Sequence, residues 1–177
     1  VAIQSRVWAG FSMAGLLAGR GTLTRTLPAP ANAAARVPAA VAPSARITRM
    51  RAVVIYESLT GNTARAARLI ADEVAAQGVD VSVYPITDIG LKDLAEADIV
   101  FIGTWVDGLV LFGHRPGRAG RIRSMPVIDG KRVAAFMTYA IHAGKALDRF
   151  ARVLDERGAT VVSRTLLRRD RLEAGIA

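Results

Sequence analysis

Two stretches of this chain, Ala52-Val53-Val54-Ile55-Tyr56 and Ile99-Val100-Phe101-Ile102-Gly103, are apolar at every position rather than at every second one. A strand without alternation must bury both of its faces, and the architecture that allows this is a parallel sheet with helices packed on each side. The segments between and after these runs have the complementary pattern. Thr63 to Gln77 places Ala66, Ile70 and Val74 on one side and Arg65, Arg68 and Asp72 on another, the period of a helix. Gly78 follows as its stop. Val79 to Tyr84 reads as a second strand, Leu91 to Ala97 as a short helix and Arg132 to Met137 as a fourth strand. Ala143 to Arg157 reads as a helix with Leu147, Phe150, Ala151 and Leu154 inward, and Thr160 to Leu166 as a fifth strand. A long loop is expected from Thr104 to Pro116, and a helix weakened by Gly117 and Gly120 over 117–124. The expected fold is α/β: an open, five-stranded parallel sheet with helices on both faces.

This pattern begins only at Met50. Residues 28–45 hold nine alanines and four prolines with no apolar period, and read as a linker. The apolar run Val7 to Ala18 would span about 18 Å as a helix, short of the ~30 Å hydrocarbon core, so a membrane-spanning helix is not expected. Residues 1–49 are therefore read as a disordered or spurious leader, with an export signal and an organellar leader as the other readings, and 50–177 as the domain. The net charge of +9 divides along the same line. Six of the 24 basic residues and none of the 15 acids lie in the first 49, which leaves 18 against 15, or +3, for the rest. So small an excess, without aromatics alternating among the basic residues, points to no nucleic-acid or membrane partner. The absence of cysteine excludes disulfides and thiolate metal sites, and fits a cytoplasmic protein.

In open parallel sheets ligands bind beyond the carboxyl ends of the strands. Three connections reach that edge: 57–63, 104–115 and 138–144. The first reads Ser58-Leu59-Thr60-Gly61-Asn62-Thr63, between a buried strand and a helix start. Unpaired amides and the positive end of a helix dipole make such a start a natural anion site. Three hydroxyls add donors, and Gly61 lets the backbone approach a ligand. There is no lysine for outer phosphates and no G-x-G-x-x-G for a dinucleotide, so a single terminal phosphate monoester fits best. No metal cluster and no catalytic triad emerge from the sequence.

Tyr56-Glu57-Ser58-Leu59-Thr60-Gly61-Asn62-Thr63 resembles the phosphate-binding signature of flavodoxins, a strand followed by T/S-x-T-G-x-T. The likeness continues through Ile102-Gly103-Thr104-Trp105 and Thr138-Tyr139-Ala140-Ile141-His142-Ala143-Gly144, and spans about residues 50–167. It implies a flavodoxin-like sheet of strand order 2-1-3-4-5 and bound FMN. Ser58, Leu59, Thr60, Gly61, Asn62 and Thr63 would bind the phosphate. Thr104, Trp105, Val106, Asp107 and Gly108 would border one side of the isoalloxazine, and Thr138, Tyr139, Ala140 and Gly144 the other, with Trp105 and Tyr139 as the aromatics. Gly108 would supply a peptide able to turn toward the ring when FMN is reduced. Two features depart from the family: the domain is mildly basic where flavodoxins are acidic, and the closing helix after Arg171 is short. Arg115, Arg118, Arg121 and Arg123 form a positive run suited to an acidic redox partner, to a nucleotide phosphate or to solvent alone. The resemblance implies an electron carrier. The alternative is a quinone or protoporphyrinogen-type oxidoreductase, which a substrate-enclosing 104–115 loop with His114 would favour.

Overall fold

The computed structural model describes residues 49–107, 115–126 and 128–176. The leader up to residue 48, Gly108 and His114 lie outside them. The chain runs β1 (Arg51–Tyr56), α1 (Asn62–Ala76), β2 (Asp80–Pro85), α2 (Leu91–Glu96), β3 (Ile99–Asp107), β4 (Arg115–Pro116), α3 (Ala119–Arg123), β5 (Arg132–Tyr139), α4 (Ala146–Asp155), β6 (Thr160–Arg168) and α5 (Leu172–Ile176). The long strands lie in the order β2-β1-β3-β5-β6, parallel at every junction. That is the expected 2-1-3-4-5 arrangement once β4, a two-residue piece antiparallel to β3, is left uncounted.

Both faces of the central strands are buried, as their unbroken apolar sequence requires. Val53, Ile55, Val100, Ile102, Val133, Ala135 and Met137 share a core with Leu94 of α2, Ile122 of α3, and Phe150 and Leu154 of α4. The residues of opposite parity, Ala52, Val54, Ile99, Phe101, Ala134 and Phe136, are buried as well. α1 packs across β1, β3 and β5 and touches α5, its buried side being Thr63, Ala66, Ala67, Ile70, Ala71 and Val74.

Two expected boundaries are corrected. Residues 104–107 are not loop: β3 continues through them, with Thr104 opposite Met137 and Trp105 opposite Thr138. Beyond β5's reach, Val106 and Asp107 pair with Pro116 and Arg115. β-Branched and aromatic residues at 104–106 favour extended backbone, and partners on both flanks satisfy it. The end of β3 is thus paired antiparallel with β4, and the expected loop residues 108–114 lie outside the described residues. α4 also starts three residues later than its periodicity suggests, at Ala146, because Gly144 turns at φ +50° just before it.

Candidate functional site

The loop between β1 and α1 is shaped by its own side chains. Ser58 Oγ accepts the Gly61 N–H at 3.2 Å, and Asn62 Nδ2 donates to Thr60 Oγ1 at 3.0 Å. Gly61 has φ +86°, a left-handed conformation open to glycine at little cost. It precedes the 15-residue α1, and no side chain caps that helix. The N–H groups of Asn62, Thr63 and Ala64 have no carbonyl one turn back, so they remain to bind an anion at the positive end of the dipole.

A cavity of about 140 Å³ opens at this point. Leu59, Thr60, Asn62 and Thr63 line it from the loop and α1, Trp105 and Val106 from β3, Thr138, Tyr139 and Ala140 from the end of β5, and Arg169 from beyond β6. All but Arg169 are among the residues expected from the sequence. The other expected residues stand differently. Ser58 and Gly61 shape the loop rather than line the cavity. Asp107 is exposed at the end of β3, and the Gly144 N–H donates to His142 Nδ1 at 3.0 Å. Thr104 is fully buried, and its Oγ1 donates to the Gly117 carbonyl at 2.9 Å, so it braces the chain behind the cavity wall.

Thr63 has a double position. Its side chain is buried and its Oγ1 shares a 2.9 Å hydrogen bond with Thr138 Oγ1, which ties the first turn of α1 to the end of β5. That bond uses one of the hydroxyl's hydrogen-bonding positions, and the Thr63 amide adds a further donor at the helix start. Thr60, exposed, keeps its hydroxyl at the cavity.

Behind Trp105 lies a group the sequence reading missed. Glu57, only 3% exposed at the end of β1, accepts hydrogen bonds from Arg118 at 2.9 Å and from Arg121 at 3.3 Å. Arg118 also sits over the indole of Trp105, 5.9 Å from the ring centroid, at the outer limit of a cation–π contact. Gly117 donates its N–H to the Trp105 carbonyl at 2.8 Å and lies so close to the indole that a Cβ there would overlap it. The arginine run is thus divided: Arg118 and Arg121 are held by Glu57, while Arg115 and Arg123 are exposed. An acid closing a wholly apolar strand, where burial is expected, was the available signal.

Strand order reverses beside β1, and beyond the strand ends there lie an uncapped helix start, hydroxyls and two aromatic walls. Those features define a mononucleotide-binding α/β protein. The family model described as "Flavodoxin domain" matches residues 53–168, and the chain belongs to the flavodoxin family. It is 29% identical over 114 residues to a flavodoxin of Clostridium beijerinckii, an overlap covering 64% of this chain and 83% of that one. The solution structure of two-electron reduced Megasphaera elsdenii flavodoxin superposes with a TM-score of 0.58 at 24% identity, over 71% of this chain and 96% of that one, a likeness of fold. A flavodoxin from the domain Archaea gives 0.52 at 25% identity, over 72% and 94%. Flavodoxins bind FMN and pass electrons to redox partner proteins. Among the described residues, no helix is long and apolar enough to cross a membrane.

Proposed function

We propose that this chain is an FMN-dependent electron carrier whose cofactor lies in the cavity between α1, β3 and β5. The observation that carries this is the uncapped start of α1 opening into a cavity walled by Trp105 and Tyr139. The donor set fits the group. The amides of Asn62 to Ala64, the Thr60 hydroxyl and the Asn62 amide suit a phosphate, and the helix dipole favours its charge. Trp105, Val106, Tyr139 and Ala140 offer the flat, largely apolar walls that an isoalloxazine requires. A cavity near 140 Å³ falls below the ~300 Å³ at which pockets begin to enclose a small molecule. Part of a bound flavin would stay at the surface, where a partner can reach it.

FMN, when bound, supplies the redox chemistry, and the protein contributes binding and electrostatics. Glu57 holds Arg118, and Arg118 with Gly117 backs the indole wall, so the wall is set before a ligand arrives. Leu59, itself a cavity-lining residue, and Ile141, next in sequence to the wall residue Ala140, are exposed, and Arg115 and Arg123 keep nearby β4 and α3 positive. That mixture suits an acidic partner protein with an apolar centre. We place the protein in the cytoplasm, for which its cysteine-free composition is the support, and take residues 50–177 as the functional unit.

The protein as purified is expected to be yellow and to release one FMN per chain on heating. Reductive titration is expected to proceed in two separable one-electron steps, with no rapid NAD(P)H oxidation when a quinone is added. A colourless protein that quenches no added FMN fluorescence would remove the proposal. Rapid quinone turnover would replace the carrier with an enzyme.

A further inference from the structure

Arg169 is the one cavity-lining residue that carries a formal charge. It follows β6 directly, and its N–H donates to the Tyr139 carbonyl at 2.9 Å, so its backbone is fixed to the end of β5. Its neighbours are engaged elsewhere: Arg168 pairs with Asp170 at 2.9 Å, and Arg65 pairs with Glu173. Among the described residues no carboxylate pairs with the Arg169 guanidinium. It is exposed, and it borders a cavity whose other polar groups are hydroxyls, amides and a helix start.

Arg169 shares a cavity of only about 140 Å³ with Thr60, Asn62 and Thr63 from the start of α1. The Thr63–Thr138 hydrogen bond and the Arg65–Glu173 ion pair draw the first turns of α1 over β5 and α5, the side on which β6 ends. The start of α1 and Arg169 therefore border the same small cavity. A guanidinium presents paired N–H donors that match two oxygens of a phosphate, and it keeps its charge at every working pH.

We infer that Arg169 is a cationic phosphate ligand, closing over the FMN monoester from the side opposite the α1 amides. This rests on the proposed flavin reading and adds to it the source of the neutralising charge. Amides and hydroxyls alone would hold a dianion by dipoles. With Arg169 the binding acquires an ionic component that salt weakens. Riboflavin, which has the same ring and ribityl chain without the phosphate, would not experience that component.

The test is a fluorescence-quenching titration of the full chain with FMN and with riboflavin, at low and high salt. For the wild type, FMN is expected to bind more tightly than riboflavin, and only FMN binding is expected to weaken with salt. Arg169→Ala is expected to weaken FMN about tenfold at low salt, leave riboflavin unchanged and flatten the salt dependence. Arg169→Lys is expected to recover the salt dependence and part of the affinity. Wild-type levels of FMN binding in Arg169→Ala, or an equal loss for riboflavin, would overturn the assignment and leave the flavin site intact. A wild type that binds neither flavin would overturn it together with the reading beneath it.

Discussion

At Glu57 a carboxylate is buried while both of its cationic partners are about half exposed, at 41% for Arg118 and 49% for Arg121. The asymmetry gives the pair a directional energetics. Removing the acid releases two guanidiniums that water can solvate, so Glu57→Gln is expected to cost only about 1 kcal/mol. Removing both cations strands a charge in the interior, so the double variant Arg118→Ala/Arg121→Ala is expected to cost about 2–4 kcal/mol. Urea unfolding of the two proteins checks the order, and equal losses would show that the carboxylate is not held as described. Gly117 argues at the same scale. A methyl group there must displace the Trp105 indole, so Gly117→Ala is expected to weaken FMN binding more than it lowers the unfolding midpoint. Paired titration and thermal melts would decide it.

Between elements, the ties that place the site are polar and few. The Thr63–Thr138 hydrogen bond joins residues 75 apart in sequence. Thr63→Val alone leaves the Thr138 hydroxyl buried without its partner, at an expected cost of about 1–3 kcal/mol. The double valine variant is expected to cost less than the sum of the two single ones. On the far edge of the sheet, Asp93 of α2 accepts hydrogen bonds from Tyr84 and, at 3.0 Å, from Ser82 of β2. The Tyr84 hydrogen bond, with that of Ser82 next, holds the Asp93 carboxyl below its ordinary 3.8, and the Asp93 contact raises the Tyr84 phenol above its ordinary 10.0. Asp93 thus contributes stability that is complete above the ordinary carboxylate range and lost as pH falls through the lowered value. Tyr84 contributes stability that is complete below pH 10.0 and lost as pH rises through the raised value. Asp93→Asn is expected to shrink both losses, which urea midpoints measured across pH would show. These ties also mark where the sequence stops being legible. Apolar periodicity gave every long strand and helix, because burial acts residue by residue along one segment. Glu57 with Arg118, Thr63 with Thr138, and Arg169 at the cavity join segments far apart in the chain, which local pattern does not register. The extension of β3 through Asp107 was missed for the same reason, since its flanking partners lie on β5 and β4.

Across the whole domain, the parallel sheet puts four chain segments, those at Thr60, Trp105, Tyr139 and Arg169, around one small cavity. Their sequence separation means that the site exists only in the folded state. FMN should therefore stabilise the fold by mass action, by about 2.7 kcal/mol when free FMN is a hundredfold above its dissociation constant. The phosphate loop was readable before the fold was known because Ser58 to Thr63 carries its geometry locally: hydroxyls, a glycine with positive φ and a helix start. On the proposed reading this helix start holds the phosphate. A crystal structure of the protein grown with FMN tests it most directly. The phosphate is expected against the amides of Asn62 to Ala64, and the ring between Trp105 and Tyr139. A phosphate bound anywhere else on the sheet would contradict it.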